Sequence, residues 1–449
     1  MKQRIQNIVM IFSVITVLFL SLPMAAQEKA NITLRFDASV ATDNKPYKLK
    51  DEISMLIEAE DKVEIKSVGI GNPEKWENGE WISYPITMQG SFDIEIYGKV
   101  TSFKVEDALV VSLDVSNCPG LKKLSYSAIP LKSIDVSNNR QLEYLACSVT
   151  EIPKLSLSNN KRLKYLECSQ CELESLELTG LEDLEFLDCS NNKLSALNLK
   201  DNFKLNTLRF SSNPIPNIDL SQQKELKFLT ATYLPIQTLD LSGLTNLEVV
   251  NAGYCQQLGK VVFDKGAQKL KDLEFNDCNL TELDVSGLDA LQVISCERNR
   301  LAGEGMKKLI ESVPDHSFPH DLLNNKIRII DTSSEKEGNV CTVDQVETLR
   351  KKLWDCEDYN GGHPKAYAGS VPAEVESVKG AVLEVFSREG FIEIKNAPAN
   401  SIYRLLNVEG KVLTQGYCDT TGMAQINTRD CQKGVFLLYI ANVTKKIVM

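Results

Sequence analysis

Cysteine and histidine are the residues in this chain with the chemistry to attack a substrate or hold a metal at neutral pH, and their placement decides whether they do. The 449 residues include 12 cysteines and 3 histidines. A cysteine or serine nucleophile needs a base within hydrogen-bond reach. His316, His320 and His363 all lie in the last third of the chain, beyond most of the cysteines. His316 and His320 sit in a Pro-flanked loop with the spacing of two metal ligands, but no third ligand accompanies them. With no constellation of base, nucleophile or metal ligands, we expect no catalytic residue, metal site or cofactor.

The cysteines recur instead. Cys147, Cys168, Cys189 and Cys296 share one column of a 21-residue period with Tyr126, Phe210, Ala231, Ala252 and Phe275, so the column is a core position filled by whatever packs. Cys171, Cys255 and Cys278 fall in a second column with Asn192, Asn213 and Asn299, and Cys118 shares a turn column with Leu181, Leu244 and Leu288. Thiols on adjacent in-register strands lie about 4.8 Å apart with parallel Cβ vectors. A disulfide needs Cβ atoms roughly 3.5 to 4.5 Å apart. These cysteines are therefore expected to be free, buried and effectively apolar. Cys341 and Cys356 flank a predicted helix of about 11 residues whose ends lie roughly 16 Å apart, so they are expected not to pair. For Cys418 and Cys431 the spacing assigns no partner.

The period itself is the organising element. Units begin at Leu121, Leu142, Leu163, Leu184, Leu205, Leu226 and Leu247 without slippage, then at Leu270 after two extra residues, and at Leu291. Within a unit the spacing is L-x-x-L-x-C, then Asn or Cys, then a second apolar set, as in Leu184, Leu187, Cys189, Asn192, Leu194, Leu197 and Leu199. Such self-similarity is the signature of a solenoid. Alternation around Leu187–Cys189 predicts one short strand per coil, stacked in parallel. The half from Leu194 to Leu199 is too short for a helix and should be extended. Strands are narrower than helices, so the stack should curve gently. Asn192, Asn213 and Asn299 are placed to satisfy backbone groups left unpaired at a bend. The second turn closes as Asn-Asn (Asn138, Asn139; Asn159, Asn160) or Gly-Leu (Gly180, Leu181; Gly243, Leu244; Gly287, Leu288), and Asp135, Asp219, Asp240 and Asp284 recur there as turn residues.

Residues two, four and six positions after the first leucine point away from the core, onto the concave face. The first of these columns holds Tyr144, Tyr165, Phe186 and Phe228, widened at the strand ends by Tyr233 and Tyr254, with Glu167, Asp188 and Arg209 beside it. Exposed aromatics bury much area at little entropic cost, which suits a binding surface. The alternative is a ladder of rings that only stabilises neighbouring strands.

These units resemble the leucine-rich repeats of the internalin-like bacterial subclass in which a cysteine replaces one core leucine. The resemblance covers about 200 of the 449 residues. It implies a mainly β, right-handed solenoid and a surface protein that binds other macromolecules, by analogy of fold.

The flanks complete the plan. Residues 1–26 carry Lys2 and Arg4, an apolar run Ile8 to Leu22 and small residues before Gln27, the pattern of a secretory signal peptide. That run is short for a membrane span, and no lipidation cysteine follows. Residues 27–99 alternate without the period and should form a β-rich cap, with Trp76 and Trp81 covering the first coil; a degenerate unit opens at Val100. After the repeats, 100–302, helical spacing at Met306, Leu309, Ile310 and Val313, a strand Ile327 to Ile330, a second helix around Val343 to Leu353 and Trp354 predict an α/β cap over 303–360. Residues 361–380 read as a linker. Seven short alternating runs over 381–449 predict a small β-sandwich. Its segments around Asn407, Gly410, Gly434, Phe436, Lys445 and Lys446 resemble the C-terminal sorting domain of Bacteroidetes type IX secretion cargo, although Phe436 stands where tyrosine is commoner.

A net charge of −11 and a pI near 5.1 argue against a nucleic-acid or anionic-membrane partner. The sequence thus predicts a non-catalytic secreted or cell-surface recognition protein or adhesin, binding a macromolecule on its concave face and reaching the surface through the type IX machinery. The alternative is a surface glycan-binding accessory protein.

Overall fold

The computed structural model describes residues 29–40, 52–67, 76–85, 90–106, 108–316, 325–370, 383–388, 390–397, 401–407, 410–429, 434–440 and 443–448. The expected signal peptide, His320 and Cys431 lie outside them. The chain divides into two compact units, Met1–Leu163 and Lys164–Met449.

In the first unit, alternation of buried and exposed residues builds two antiparallel assemblies. Strand Ile32–Asp37 pairs on one side with Ser91–Tyr97, which pairs with Glu64–Ser67, and on the other with Val110–Asp114. Strand Glu52–Ala59 lies between Trp81–Pro85 and Val100–Glu106. Val100–Glu106 is the hand-over point: antiparallel to the cap on one edge, it is parallel to Lys123–Ser127 on the other, which pairs in turn with Tyr144–Ala146. Ile32, Leu34, Phe36, Ile53, Met55, Ile57, Phe103 and Val105 are fully buried between these layers. Trp81, expected to cover the first coil, instead stands on an edge strand, 48% exposed, with the Lys104 ammonium 5.2 Å over its ring. An edge strand has no further layer to receive so large a side chain.

The second unit carries the stacked coils. Strands Tyr165–Glu167, Phe186–Asp188, Thr207–Arg209, Phe228–Thr230, Val249–Asn251, Asp272–Glu274 and Val293–Ser295 run parallel and in strict register. Leu166, Leu187, Leu208, Leu229, Val250, Leu273 and Ile294 form one fully buried column, and Cys168, Cys189, Phe210, Ala231, Ala252, Phe275 and Cys296 form the next. Large and small residues mix in that second column because neighbouring coils share its volume, and close packing requires only that the sum be filled. Burial pushes the Cys168 and Cys189 thiols far above the ordinary thiol value, and holds Cys255 at about 11 and Cys278 at about 12. In the first unit Cys118 is likewise raised to about 11. These thiols are small apolar fillers, free as expected.

Two devices turn the chain after each strand. Seven positions after the first leucine, Gln170, Asn191, Ser212, Tyr233, Tyr254, Asp277 and Arg298 all take a left-handed backbone, with φ between 54° and 62°. Each costs of order 1 kcal/mol in a non-glycine residue, yet the conformation keeps the backbone ladder going: Asn191 N–H donates to Ser211 O at 2.8 Å and Tyr254 N–H to Asn276 O at 2.7 Å. The asparagine column comes next. Asn192 Oδ1 accepts from Cys171 N–H (3.1 Å) and Leu173 N–H (2.9 Å), while Nδ2 donates to Cys168 O (2.8 Å) and Cys189 O (2.9 Å). Cys255 occupies the same column with its thiol, accepting from Leu234 N–H and donating to Ala231 O.

On the convex half the coil is extended but ladders only locally, as where Thr238–Leu241 pairs with Lys260–Phe263. Asp135, Asp219, Asp240 and Asp284 each accept from the N–H of the serine two residues on, at 2.9 to 3.0 Å. The hydroxyl and N–H of that serine hold each carboxyl below its usual range.

The parallel sheet continues into the cap through Lys326–Ile330 and Asp355–Asp358, and ends with Lys365–Ala366 added antiparallel. Helices Gly303–Ser312 and Val343–Lys351 replace the extended halves of these coils. Lys352 Nζ closes the first helix by donating to Ile310 O (3.0 Å), Glu311 O (2.8 Å) and Val313 O (2.8 Å), a cation where the helix end exposes carbonyls. Buried Trp354 donates to Pro314 O at 2.9 Å. Residues 361–370, expected to open a linker, belong to the cap: Lys365–Ala366 is paired, and Tyr367 is buried with its hydroxyl on Cys341 O.

Beyond residue 382 two sheets face each other. One orders Glu384–Arg388, Phe391–Lys395 and Ala424–Asn427, the other Val412–Tyr417, Ile402–Asn407, Val435–Ile440 and Val443–Val448. Ile392, Ile394, Leu405, Ile426, Phe436, Leu438, Ile440 and Ile447 form the core between them.

Candidate functional site

Strand alternation sends the second and fourth residues after each first leucine outward, and their rings and charges meet in pairs. Tyr165 and Phe186 stack with centroids 4.2 Å apart and planes within 5°. The Arg209 guanidinium lies 5.7 Å from the Phe186 ring and its Nη1 is 3.9 Å from Asp188 Oδ2. Glu167 accepts from the Tyr165 hydroxyl at 2.9 Å, and Asp188 from Ser190 N–H at 3.0 Å. The three charged residues named from the sequence therefore brace the rings as well as face outward.

In the same unit the stripe breaks at Thr207, which is buried, and resumes at Phe228, 41% exposed. Tyr233 and Tyr254 stand in the left-handed turn column rather than on strands. Their rings stack 4.6 Å apart within 6° of parallel, at 58% and 38% exposure. Two patches result, a braced one at Tyr165, Phe186 and Arg209, and an open one at Phe228, Tyr233 and Tyr254. In the first unit Tyr144 is half-buried on the same outward column, opposite Lys123.

Charge on this face is one-sided. From Tyr165 to Ser295 the outward columns hold Glu167, Asp188, Asp272 and Glu274 against Arg209. Burial raises the Asp272 carboxyl. Glu297 is the residue sequence reasoning missed. Its column otherwise reads Ser169, Ser190, Ser211, Thr232, Gly253 and Asn276, so a large acid there was the available signal. It is 3% exposed, and its Oε2 has no hydrogen-bond partner. Arg298 Nη2 lies 3.7 Å from its Oε1. Burial pushes this carboxyl up to about 7 against the opposing pull of its own backbone N–H, Arg298 and Arg328. Arg298 ties the last coil to the cap: its Nε donates to Asp277 Oδ2 and its Nη1 to Asp331 Oδ2, both at 2.7 Å, under the Tyr359 ring at 4.8 Å.

Among the described residues no three His, Cys, Asp or Glu side chains converge as metal ligands. His316 spends its Nε2 on Leu291 O at 2.8 Å and packs against Trp354. His363 is exposed. In the last domain Asn407 and Gly410 build one turn: Asn407 Oδ1 accepts from Lys411 N–H, and Gly410 takes φ 79°. Gly434 precedes the strand that holds Phe436, which is core, while Lys445 and Lys446 are exposed.

A pH dependence follows from Glu297. Its folded pKa of about 7 exceeds the unfolded 4.5, so its favourable contribution is complete below pH 4.5 and lost as pH rises through 7. Glu297→Gln should therefore gain stability over wild type between pH 5 and 8, by up to about 3 kcal/mol, in denaturant titrations at several pH values. Parallel curves for the two proteins would mean that Glu297 ionises at no cost.

Comparison with known proteins adds little beyond the coils themselves. No family model and no curated protein matches the chain. Among solved structures, internalin C2 from Listeria monocytogenes is similar at 26% identity over 31% of this chain and 64% of that one, with a TM-score of 0.29. The chain thus spans just under two thirds of that protein. The functional domain of InlJ from the same organism, described as including a cysteine ladder, aligns at 16% identity over 76% of this chain and 87% of that one, TM-score 0.22. Listeria InlP aligns at 12% over 76% and 82%, TM-score 0.36. The leucine-rich-repeat β-solenoid is identified by its own register and columns.

Proposed function

We propose that this is a non-catalytic recognition protein of the cell surface or medium, an adhesin in the broad sense, which binds a protein partner on the outward face of its strands. The carrying observation is the exposed set of rings on one strand and the turns beside it: Phe228, Tyr233 and Tyr254 are solvated although the core is closed without them. Rigid aromatic anchors of this kind dominate interfaces. The acidic surplus around them selects a partner with a basic face. A second reading, a glycan-binding accessory protein, is favoured by the stacked Tyr233 and Tyr254 platform, since sugar rings dock on flat aromatic faces.

Replacing Tyr144, Tyr165, Phe186 and Phe228 together with alanine tests the stripe. Each change should weaken adhesion or glycan binding by about 1 kcal/mol or more, measured on host-protein, bacterial-partner and glycan panels, while the melting transition moves little compared with Leu187→Ala. A variant that melts normally and adheres fully would put the binding site elsewhere. One that unfolds would make the stripe a stabilising ladder.

Export is the other part of the proposal. The leader-like residues 1–26 and the C-terminal sandwich, with its Asn407 to Gly410 turn and exposed Lys445 and Lys446, support a route across the envelope that uses the type IX machinery. Deleting residues 382–449 should leave the repeats folded and the chain retained inside the envelope, read by fractionation and surface proteolysis. Normal surface levels of the truncated chain would refute the sorting role.

A further inference from the structure

The left-handed turn column continues past Tyr254 as Asp277 and Arg298, and beside it opens a cavity of about 350 Å³. The residues two places further along each coil, Gln256, Asn279 and Arg300, line it on successive coils, and the cap loop completes the lining with Lys336 and Gly338. Gly338 seats that loop against the last coil, since a Cβ there would lie 2.5 Å from Asn299 O. Several polar groups at the cavity are already spent. Arg298 is paired with Asp277 and Asp331, Asn299 gives its amide to the backbone, and the Cys278 thiol donates to Ala252 O and Asn276 O. Glu337, next to Lys336 in the chain, has its carboxylate committed to the N–H groups of Arg298, Asp331 and Asn339. Four side chains remain. Among the described residues the amides of Gln256 and Asn279, the Arg300 guanidinium and the Lys336 ammonium make no hydrogen bond or ion pair. Two uncompensated cations thus share one cavity in a chain whose net charge is −11.

Guanidinium and ammonium groups only donate and so select an anion, which a guanidinium fork grips best as a carboxylate. Side-chain amides donate and accept, which suits hydroxyl groups. At about 350 Å³ the cavity is at the small end of ligand pockets and holds a single ring. Because Gln256 belongs to the coil of Tyr254, the cavity adjoins the stacked Tyr233 and Tyr254 platform, whose flat faces suit the apolar side of a sugar. We propose that this cavity binds the carboxylated sugar residue of an acidic glycan. Arg300 and Lys336 take the carboxylate, Gln256 and Asn279 the ring hydroxyls, and Tyr254 and Tyr233 carry the sugars that follow. The proposal rests on the glycan reading of the tyrosine pair and adds the charge of its ligand. The rest of the chain repels such a ligand, so the attraction is local and weakens with salt.

Calorimetric titration of the full chain with trigalacturonate, its neutral methyl ester, sialyllactose and lactose tests this. At least one acidic sugar should bind about tenfold or more tightly than its neutral counterpart, and high salt should remove the difference. Arg300→Gln/Lys336→Gln should erase the preference while the melting transition stays in place, because both side chains are exposed and unpaired. Tyr233→Ala/Tyr254→Ala should weaken the acidic and the neutral member of a pair alike. Equal binding of acidic and neutral sugars, unchanged in the Arg300/Lys336 variant but lost in the tyrosine variant, would overturn the role of the cavity and leave the glycan reading standing. Binding of none of the four sugars would overturn both.

Discussion

The interaction on which the rest depends is the backbone ladder between coils, which holds only if every coil returns its strand to the same register. A slip of one residue would exchange the leucine column for the tyrosine column and bury the wrong face. The fixed length of 21 residues enforces that return. The exception shows where the tolerance lies: the two residues added before Leu270 leave Val249 opposite Asp272 and are absorbed on the convex half, on either side of Lys260–Phe263, which still pairs in register with Thr238–Leu241 of the preceding coil. Function follows from the same constraint. Because inward positions are taken by leucine, cysteine and small residues, outward positions are free to vary coil by coil.

Much of this was legible because periodic burial leaves a periodic sequence. The leucine, thiol and asparagine columns, the two cap helices and the seven strands of the last domain all carry patterns that local alternation or helical spacing produces. The left-handed turn column does not. Its occupants include Gln170, Tyr233, Tyr254 and Arg298, none of them a residue that prefers positive φ; tertiary hydrogen bonding imposes the conformation and no local preference signals it. Strand Asp355–Asp358 escaped for a similar reason, since its acidic residues look like a loop until the sheet edge of Lys326–Ile330 is present to pair with them.

Tyr233 and Tyr254 are exposed and stacked, and their stacking comes from turn geometry rather than from strand alternation. Glu167, Asp188 and Arg209 proved to be partners of neighbouring rings and backbone as much as a surface. Cys341 and Cys356, expected not to pair, are free thiols. Trp81, read as a lid, is held at an edge where nothing covers it.

Native-state thiol accessibility tests the central claim, that within each unit the coils close over a core and leave only alternate residues to solvent. In reducing buffer a bulky thiol reagent should leave Cys147, Cys168, Cys171, Cys189, Cys255 and Cys296, all buried, unlabelled in the folded protein and should label them together as denaturant unfolds it. Rapid labelling of most of these cysteines before unfolding would contradict the closed column, and with it the assignment of the opposite face to recognition.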